Sequence, residues 1–119
     1  MTYLFNLILN LIDFFYKKKV FNFLKKNINS DIELLFDVGS HKGETIKTFL
    51  ENFNVKYIYS FEASPFNYKK LVKNTNELKK KHINCNIKIS NIGVGNSNIE
   101  KTFYDLVDSN SSTFNKLNK

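Results

Sequence analysis

Two acids and two glycines in the central part of the chain have a spacing that suits ligand binding. Asp37 follows a short apolar run, and Gly39 and Gly43 come directly after it. Glycine permits positive φ angles and leaves no Cβ between the backbone and a ligand. Glu62 ends a second apolar run, 23 residues beyond Gly39. An acid, a glycine-rich turn and a distant second acid are typical of the first βα unit of a nucleotide-binding fold.

The types of residue around the two glycines favour one class of nucleotide. Asp-x-Gly-x-x-x-Gly lacks the three-glycine fingerprint of dinucleotide-binding folds. It is not a P-loop, which requires four residues between its glycines and Lys-Ser/Thr after the second, where this chain has Glu44 and Thr45. A carboxylate repels a pyrophosphate but attracts a cation. Asp37 and Glu44 therefore favour S-adenosylmethionine, which has no phosphate and carries an ammonium and a sulfonium, over NAD or ATP.

Glu62 predicts a ribose-binding carboxylate. An acid at the end of the second strand of such a fold can accept hydrogen bonds from both ribose hydroxyls. A hydrogen bond to a charged group contributes roughly 1.5–3 kcal/mol. Both NAD and S-adenosylmethionine carry these hydroxyls, so Glu62 supports a ribose without choosing between the two cofactors.

Three apolar or alternating segments predict the parallel strands that must hold these residues, with a helix between each pair. The predicted strands are Leu34–Val38, Val55–Phe61 and Asn86–Ile92. The first helix is expected from Thr45 onward. The second is expected to begin with Ser64 as its N-cap and Pro65 in its first position, and to end at Lys79–Lys81.

Asn91 follows the third predicted strand and is a candidate for adenine recognition. If the third strand lies beside the first, its carboxyl end faces the adenine edge of the cofactor, and Asn91 could hydrogen-bond the base. The alternative is that Asn91, Gly93 and Gly95 simply form a turn. A further strand, in a hairpin, is expected within residues 101–106.

Three blocks of the sequence together resemble a known family. FDVGSHKGET, YSFEASPFNYKKLVKN and NIGVGNSNIEKTFYDLVDSNSSTF are similar to the amino-terminal half of the FkbM-type S-adenosylmethionine-dependent methyltransferases, over about residues 31 to 117. The resemblance implies a Rossmann-like sheet, O-methylation of a small molecule or glycan, and a Ser-rich loop near the active site at residues 108–113. The chain departs from the family at Ala63, where Pro is common, and lacks the family's later Asp-x-Glu-Gly block.

The length predicts an incomplete α/β domain of the Rossmann-like methyltransferase type. At 119 residues the chain is one domain at most, and we expect the first three or four strands of the fold. The expected function is that of a truncated or split amino-terminal half of the enzyme. Alternatives are a non-catalytic cofactor-binding remnant or subunit that needs a carboxyl-terminal partner chain, and a protein attached to a membrane surface. No residue is assigned as a catalytic base.

The composition argues against some classes of partner. The net charge is +7, but every basic residue is Lys, whereas nucleic-acid sites usually use Arg for its bidentate hydrogen bonds and stacking. We therefore expect no nucleic-acid partner. No Cys/His cluster has metal-ligand spacing, so no metal site is predicted.

The single Cys85 suits a reducing compartment, and we expect a cytoplasmic protein, with or without peripheral membrane contact.

Residues 1–30 form a separate extension, with a helix over residues 2–28 and a polar linker from Asn27 to Ser30. Polar residues recur along one helical stripe at Thr2, Asn6, Asn10, Asp13 and Lys17, and the other positions before Lys17 are apolar. This pattern predicts an amphipathic helix. Its apolar part is too short to span a bilayer. The helix is expected either to pack against protein or to lie on a membrane surface through its apolar face and the Lys17–Lys19 cluster.

Overall fold

The computed structural model describes residues 2–100 and 102–104, with side chains from residue 11 onward. In chain order the elements are α1 (Thr2–Asn27), β1 (Asp31–Val38), α2 (Glu44–Asn52), β2 (Asn54–Phe61), α3 (Pro65–Lys81) and β3 (Asn86–Ser90). The chain divides into two compact units, Met1–Ser30 and Asp31–Lys119. The second unit is a small α/β domain, as the sequence predicts, and is compatible with a partial Rossmann-like fold.

The first unit is the single helix α1, which covers nearly all of the predicted helical segment. The polar stripe that the sequence predicts from Thr2 to Lys17 does not continue to the end of the helix. The polar stripe that ends at Lys17 is followed on the same line by Phe21 and Leu24, because residues four and seven apart share a helix face. Within the described residues, no helix is long and apolar enough to cross a membrane.

The sheet of the second unit has three parallel strands in the order β1-β2-β3. β1 pairs with β2 from Asp31 opposite Asn54 to Val38 opposite Phe61, and β3 pairs with β2. The third strand therefore lies beside the second and not beside the first. The premise on which Asn91 was assigned to the adenine edge is wrong, because Asn91 leaves the sheet next to the end of β2.

The core lies on one face of this sheet. Parallel crossovers are right-handed, so two successive crossovers in the same direction place both helices on one side. Ile46 of α2 and Leu71 of α3 are fully buried, as is Ile58 of β2 between them. Ser64 caps α3 by accepting a hydrogen bond from the backbone N–H of Asn67, with Pro65 next, as predicted.

The other face of the sheet is open, and we call it the exposed sheet face. It carries Leu34, Phe36, Val38, Tyr57, Tyr59 and Phe61, which alternate with the core residues. Phe36 is 61% exposed and stacks on Tyr59 and Phe61, with ring centroids 5.7 Å and 6.5 Å apart. Parallel sheets normally have helices on both faces, but among the described residues of this unit helices cover only one.

The predicted fourth strand and Ser-rich loop lie largely outside the described residues. Of residues 101–106, the structure describes 102–104, and Tyr104 forms an isolated bridge. The loop at residues 108–113 is not among the described residues.

Candidate cofactor site

The turn between β1 and α2 is held against the end of β2. The backbone N–H groups of Gly39 and Ser40 both donate to the carbonyl of Phe61, at 2.9 Å and 3.1 Å. Gly39 has φ 77°, which favours glycine. A Cβ at Gly39 would meet nothing within 4 Å. The glycine is therefore required by its backbone angle, and the space beside it is open.

Gly43 lies close to protein rather than to open space. It is the N-cap of α2 with φ 91°, and a Cβ there would be 3.1 Å from the Leu71 Cδ1 atom of α3. The sequence predicts that Gly43, like Gly39, leaves no Cβ between the backbone and a ligand. In the structure its close neighbour is α3, so Gly43 supports the site from behind.

Two buried serines lie beneath the turn, and sequence reasoning missed both. The Ser40 hydroxyl donates to the backbone carbonyl of Asp37 at 2.8 Å, and the Ser60 hydroxyl donates to Ser40 Oγ at 2.6 Å. These bonds connect the turn to the middle of the sheet. The signal in the sequence was Ser60 itself, a small polar residue inside the otherwise apolar and aromatic end of β2.

Asp37 is a buried acid with an unsatisfied oxygen. The residue is 8% exposed, and its Oδ2 atom has no hydrogen-bond partner among the described residues. Burial raises the pKa of Asp37; a hydrogen bond with Ser40 opposes this, and the carboxylates of Glu44 and Glu62 raise the pKa further. A cation placed beside this oxygen would satisfy it and relieve the repulsion between the acids.

Glu62 is equally buried, but its carboxylate is satisfied. The residue is 7% exposed. Its Oε2 accepts from the backbone N–H of His41 at 2.7 Å, and its Oε1 accepts from that of Ser64 at 2.8 Å. The side chain therefore ties the β1–α2 turn to the β2–α3 turn, a structural role that the sequence did not reveal. A carboxylate offers about four acceptor positions, so hydrogen bonds from a ribose remain compatible with this tie.

Asn91 fixes the segment that follows β2. Its side-chain amide donates to the carbonyl of Glu62 at 2.7 Å and to that of Ala63 at 3.1 Å. The backbone N–H of Glu62 donates in turn to the carbonyl of Ser90. Asn91 thus positions the loop that carries Glu62. This role of Asn91 resembles the alternative in which it forms a turn more than the one in which it binds the adenine base.

The residue types around His41 predict an exposed loop residue that no neighbouring group orients as a base, and the structure differs on both points. Its side chain is 24% exposed, and its Nδ1 atom lies 3.4 Å from Glu44 Oε1. The backbone of His41 has φ 51°, a strained value that the hydrogen bond to Glu62 holds in place. The imidazole and the Glu44 carboxylate therefore form a pair at the start of α2.

A hollow of about 570 Å³ opens beyond the end of β3, beside Ala63 and Asn91. The loop at residues 92–100 and Phe103 form the rest of its lining. Small-molecule sites typically measure about 300–1,000 Å³. In open α/β sheets, ligands bind outside the carboxyl ends of the strands, and this hollow lies there.

The structure thus brings four of the five predicted site residues to the carboxyl edge of the sheet: Asp37, Gly39, Glu62 and Asn91. Gly43 lies behind them against α3. Within the part of the chain that the structure describes, no group of three His, Cys, Asp or Glu side chains could hold a metal ion.

Compared with known protein families, curated proteins and solved structures, the chain gives no significant match.

Proposed function

We propose that the second unit binds S-adenosylmethionine and serves a methyltransferase of the FkbM type. The observation that carries the proposal is the buried Asp37 oxygen, which has no partner among the described residues and lies two residues before a glycine whose Cβ position is open. An unsatisfied buried acceptor costs about 1–3 kcal/mol, and more when it is charged. A ligand that donates to this oxygen would remove the cost, and S-adenosylmethionine carries an ammonium that can donate and a sulfonium that adds a second positive charge.

In this proposal each site residue has a separate role. Asp37 and Gly39 hold the methionine end of the cofactor, and Glu62 accepts from the ribose with its remaining acceptor positions. Asn91 fixes the loop that carries Glu62, beside a hollow large enough for a base. Methyl transfer is an in-line displacement at the sulfonium, so the main contribution of the protein is to position the acceptor. The proposed acceptor is a hydroxyl of a small molecule or a glycan.

Calorimetric titration of S-adenosylmethionine into the purified chain tests the proposal. We expect Asp37→Asn to weaken binding about 10- to 100-fold, because it removes a charged hydrogen bond. Asp31→Asn is the matched control: it makes the same chemical change at the exposed other end of β1 and should leave the affinity unchanged. S-adenosylhomocysteine lacks the sulfonium but keeps the ammonium that can donate to Asp37, so it should lose a similar factor of affinity on Asp37→Asn.

Two results would count against this function. One is a folded chain that shows no heat of binding with S-adenosylmethionine at any accessible concentration. The other is an equal affinity loss for Asp37→Asn and Asp31→Asn, which would indicate a general charge effect. Far-UV circular dichroism of each variant checks that the chain is folded.

A second candidate is a cofactor-binding subunit that is active only with a partner chain. The exposed sheet face favours it, because both faces of a parallel sheet are normally covered. Such a subunit would bind S-adenosylmethionine in the titration but would transfer no methyl group by itself.

A further inference from the structure

Helix α1 belongs to the first unit of the chain, and its own side chains carry an independent inference. We propose that α1 attaches the protein to an anionic membrane surface, and that it enters the surface obliquely. The apolar side chains of residues 11–16 enter the lipid, and the lysines that follow remain among the headgroups.

The apolar part of the argument rests on residues 11–16. Leu11, Ile12, Phe14, Phe15 and Tyr16 are between 57% and 67% exposed. A contiguous exposed patch of large apolar side chains marks an interaction surface. The sequence before this segment, residues 3–9, adds six more apolar or aromatic residues.

The charge of α1 identifies the kind of surface that fits. The helix carries five lysines, Lys17, Lys18, Lys19, Lys25 and Lys26, and all are exposed. Its one acidic residue, Asp13, pairs with Lys17 at 2.7 Å. Each Lys near an anionic bilayer increases the binding constant by about fivefold. Large apolar side chains followed by a lysine cluster match a surface that has acyl chains below and phosphates above.

The order of the two parts along the helix determines the geometry. Lys18, Asn22 and Lys25 share one helix face, and the same face carries Leu11 and Phe14 earlier in the chain. One side of α1 therefore changes from apolar to cationic along its length. A helix with apolar and polar sides lies flat on a membrane, whereas this arrangement favours a tilt. Leu11 and Lys18 are about 10 Å apart along the axis, similar to the depth of the interfacial layer.

Co-sedimentation of the full chain with vesicles tests the choice of partner. We expect binding to phosphatidylcholine vesicles that contain phosphatidylserine, and much weaker binding to phosphatidylcholine alone. A variant with Lys18, Lys19, Lys25 and Lys26 all changed to Gln should bind the anionic vesicles about two to three orders of magnitude more weakly. The matched control changes four exposed lysines of α3, Lys69, Lys73, Lys79 and Lys81, to Gln and should bind within a few-fold of the unaltered chain.

Tryptophan fluorescence tests the oblique geometry. The chain contains no Trp, so a single introduced Trp reports on its own position alone. Phe14→Trp and Phe23→Trp each introduce one reporter, at exposed positions on either side of Lys17–Lys19. With anionic vesicles that contain brominated lipids, we expect strong quenching of the reporter at position 14 and little at position 23.

Three outcomes would overturn the inference. If the folded chain does not bind anionic vesicles, the apolar surface of α1 serves another partner, such as a protein. Equal binding to neutral and anionic vesicles would remove the role of the lysines. Equal quenching at positions 14 and 23 would mean that the helix lies flat. Circular dichroism of the lysine variants establishes that a loss of binding does not reflect a loss of the helix.

Discussion

Two buried acids at the carboxyl edge of the sheet differ in how their charge is accommodated. Both oxygens of Glu62 accept backbone hydrogen bonds, so this carboxylate stabilises the two turns that it connects. Asp37 is as deeply buried, but one of its oxygens has no partner among the described residues. The first acid therefore contributes to the fold, and the second has a free energy cost that a ligand can offset.

The raised pKa of Asp37 predicts a pH-dependent effect of its removal. The native state holds the proton more tightly than the unfolded state does, so the charged Asp37 destabilises the fold above its native pKa. This cost is lost as pH falls through the raised pKa. We expect Asp37→Asn to increase the free energy of unfolding at neutral pH, and the gain to shrink as the pH is lowered toward 4. Urea unfolding at several pH values measures it.

Asp31→Asn again serves as the control for this experiment. Its exposed carboxylate should give a difference in stability that is small across the whole pH range. A stabilisation by Asp37→Asn that stays constant or grows at low pH would contradict the expectation, since it would then have no connection with the charge of Asp37.

At the scale of elements, the site depends on how tightly α2 and α3 pack above one face of the sheet. Gly43 begins α2 in a conformation that favours glycine, directly against Leu71 of α3. Asn74 of α3 donates to the carbonyl of Lys42 at 2.8 Å. The turn that carries Gly39 is therefore fixed from two sides, by the end of β2 and by α3.

Three glycine substitutions separate backbone strain from close packing. Gly39→Ala should lower the free energy of unfolding by about 1–2 kcal/mol, because a positive φ is unfavourable for alanine and nothing crowds its Cβ. Gly43→Ala should cost more, because the same strain is combined with a 3.1 Å contact. Gly95→Ala is the control, since neither condition applies there. Urea unfolding gives the order, and an equal loss at Gly39 and Gly43 would argue against the contact with α3.

For the second unit as a whole, the main feature is the exposed sheet face. The opposite face of the sheet, which carries Ile58, forms the core and is covered by α2 and α3. On the exposed sheet face, Phe36 stacks on Tyr59 and Phe61, and Lys88 of β3 lies over the Tyr59 ring. An apolar surface of this kind favours association with another apolar surface.

We expect the chain to self-associate through this face, and Phe36→Ser to weaken the association. Burying a Phe side chain contributes about 1.5–3 kcal/mol, so the dissociation constant should rise about tenfold or more. Phe66→Ser is the control, because Phe66 is similarly exposed, at 55%, but belongs to α3 and not to a strand. Sedimentation velocity over a range of concentrations measures both. An equal effect of the two substitutions would show that the exposed sheet face has no special role.

The sequence alone determined the features that depend on near neighbours in the chain. The apolar runs, the glycine turn after Asp37 and the Ser64-Pro65 helix start each reflect contacts within a few residues, and the structure confirms these elements. The position of four candidate site residues at one edge of the sheet also followed, because parallel strands end at the same edge.

The tertiary structure alone decided the features that join distant parts of the chain. The sequence does not specify that β3 lies beside β2, because the order of strands depends on pairings between segments far apart. The same reason applies to Glu62, which bonds to the backbone of His41, 21 residues away, and to Gly43, which faces Leu71. The Glu62–His41 contact requires the crossover from β1 to β2, and the Gly43–Leu71 contact requires α2 and α3 on the same face of the sheet.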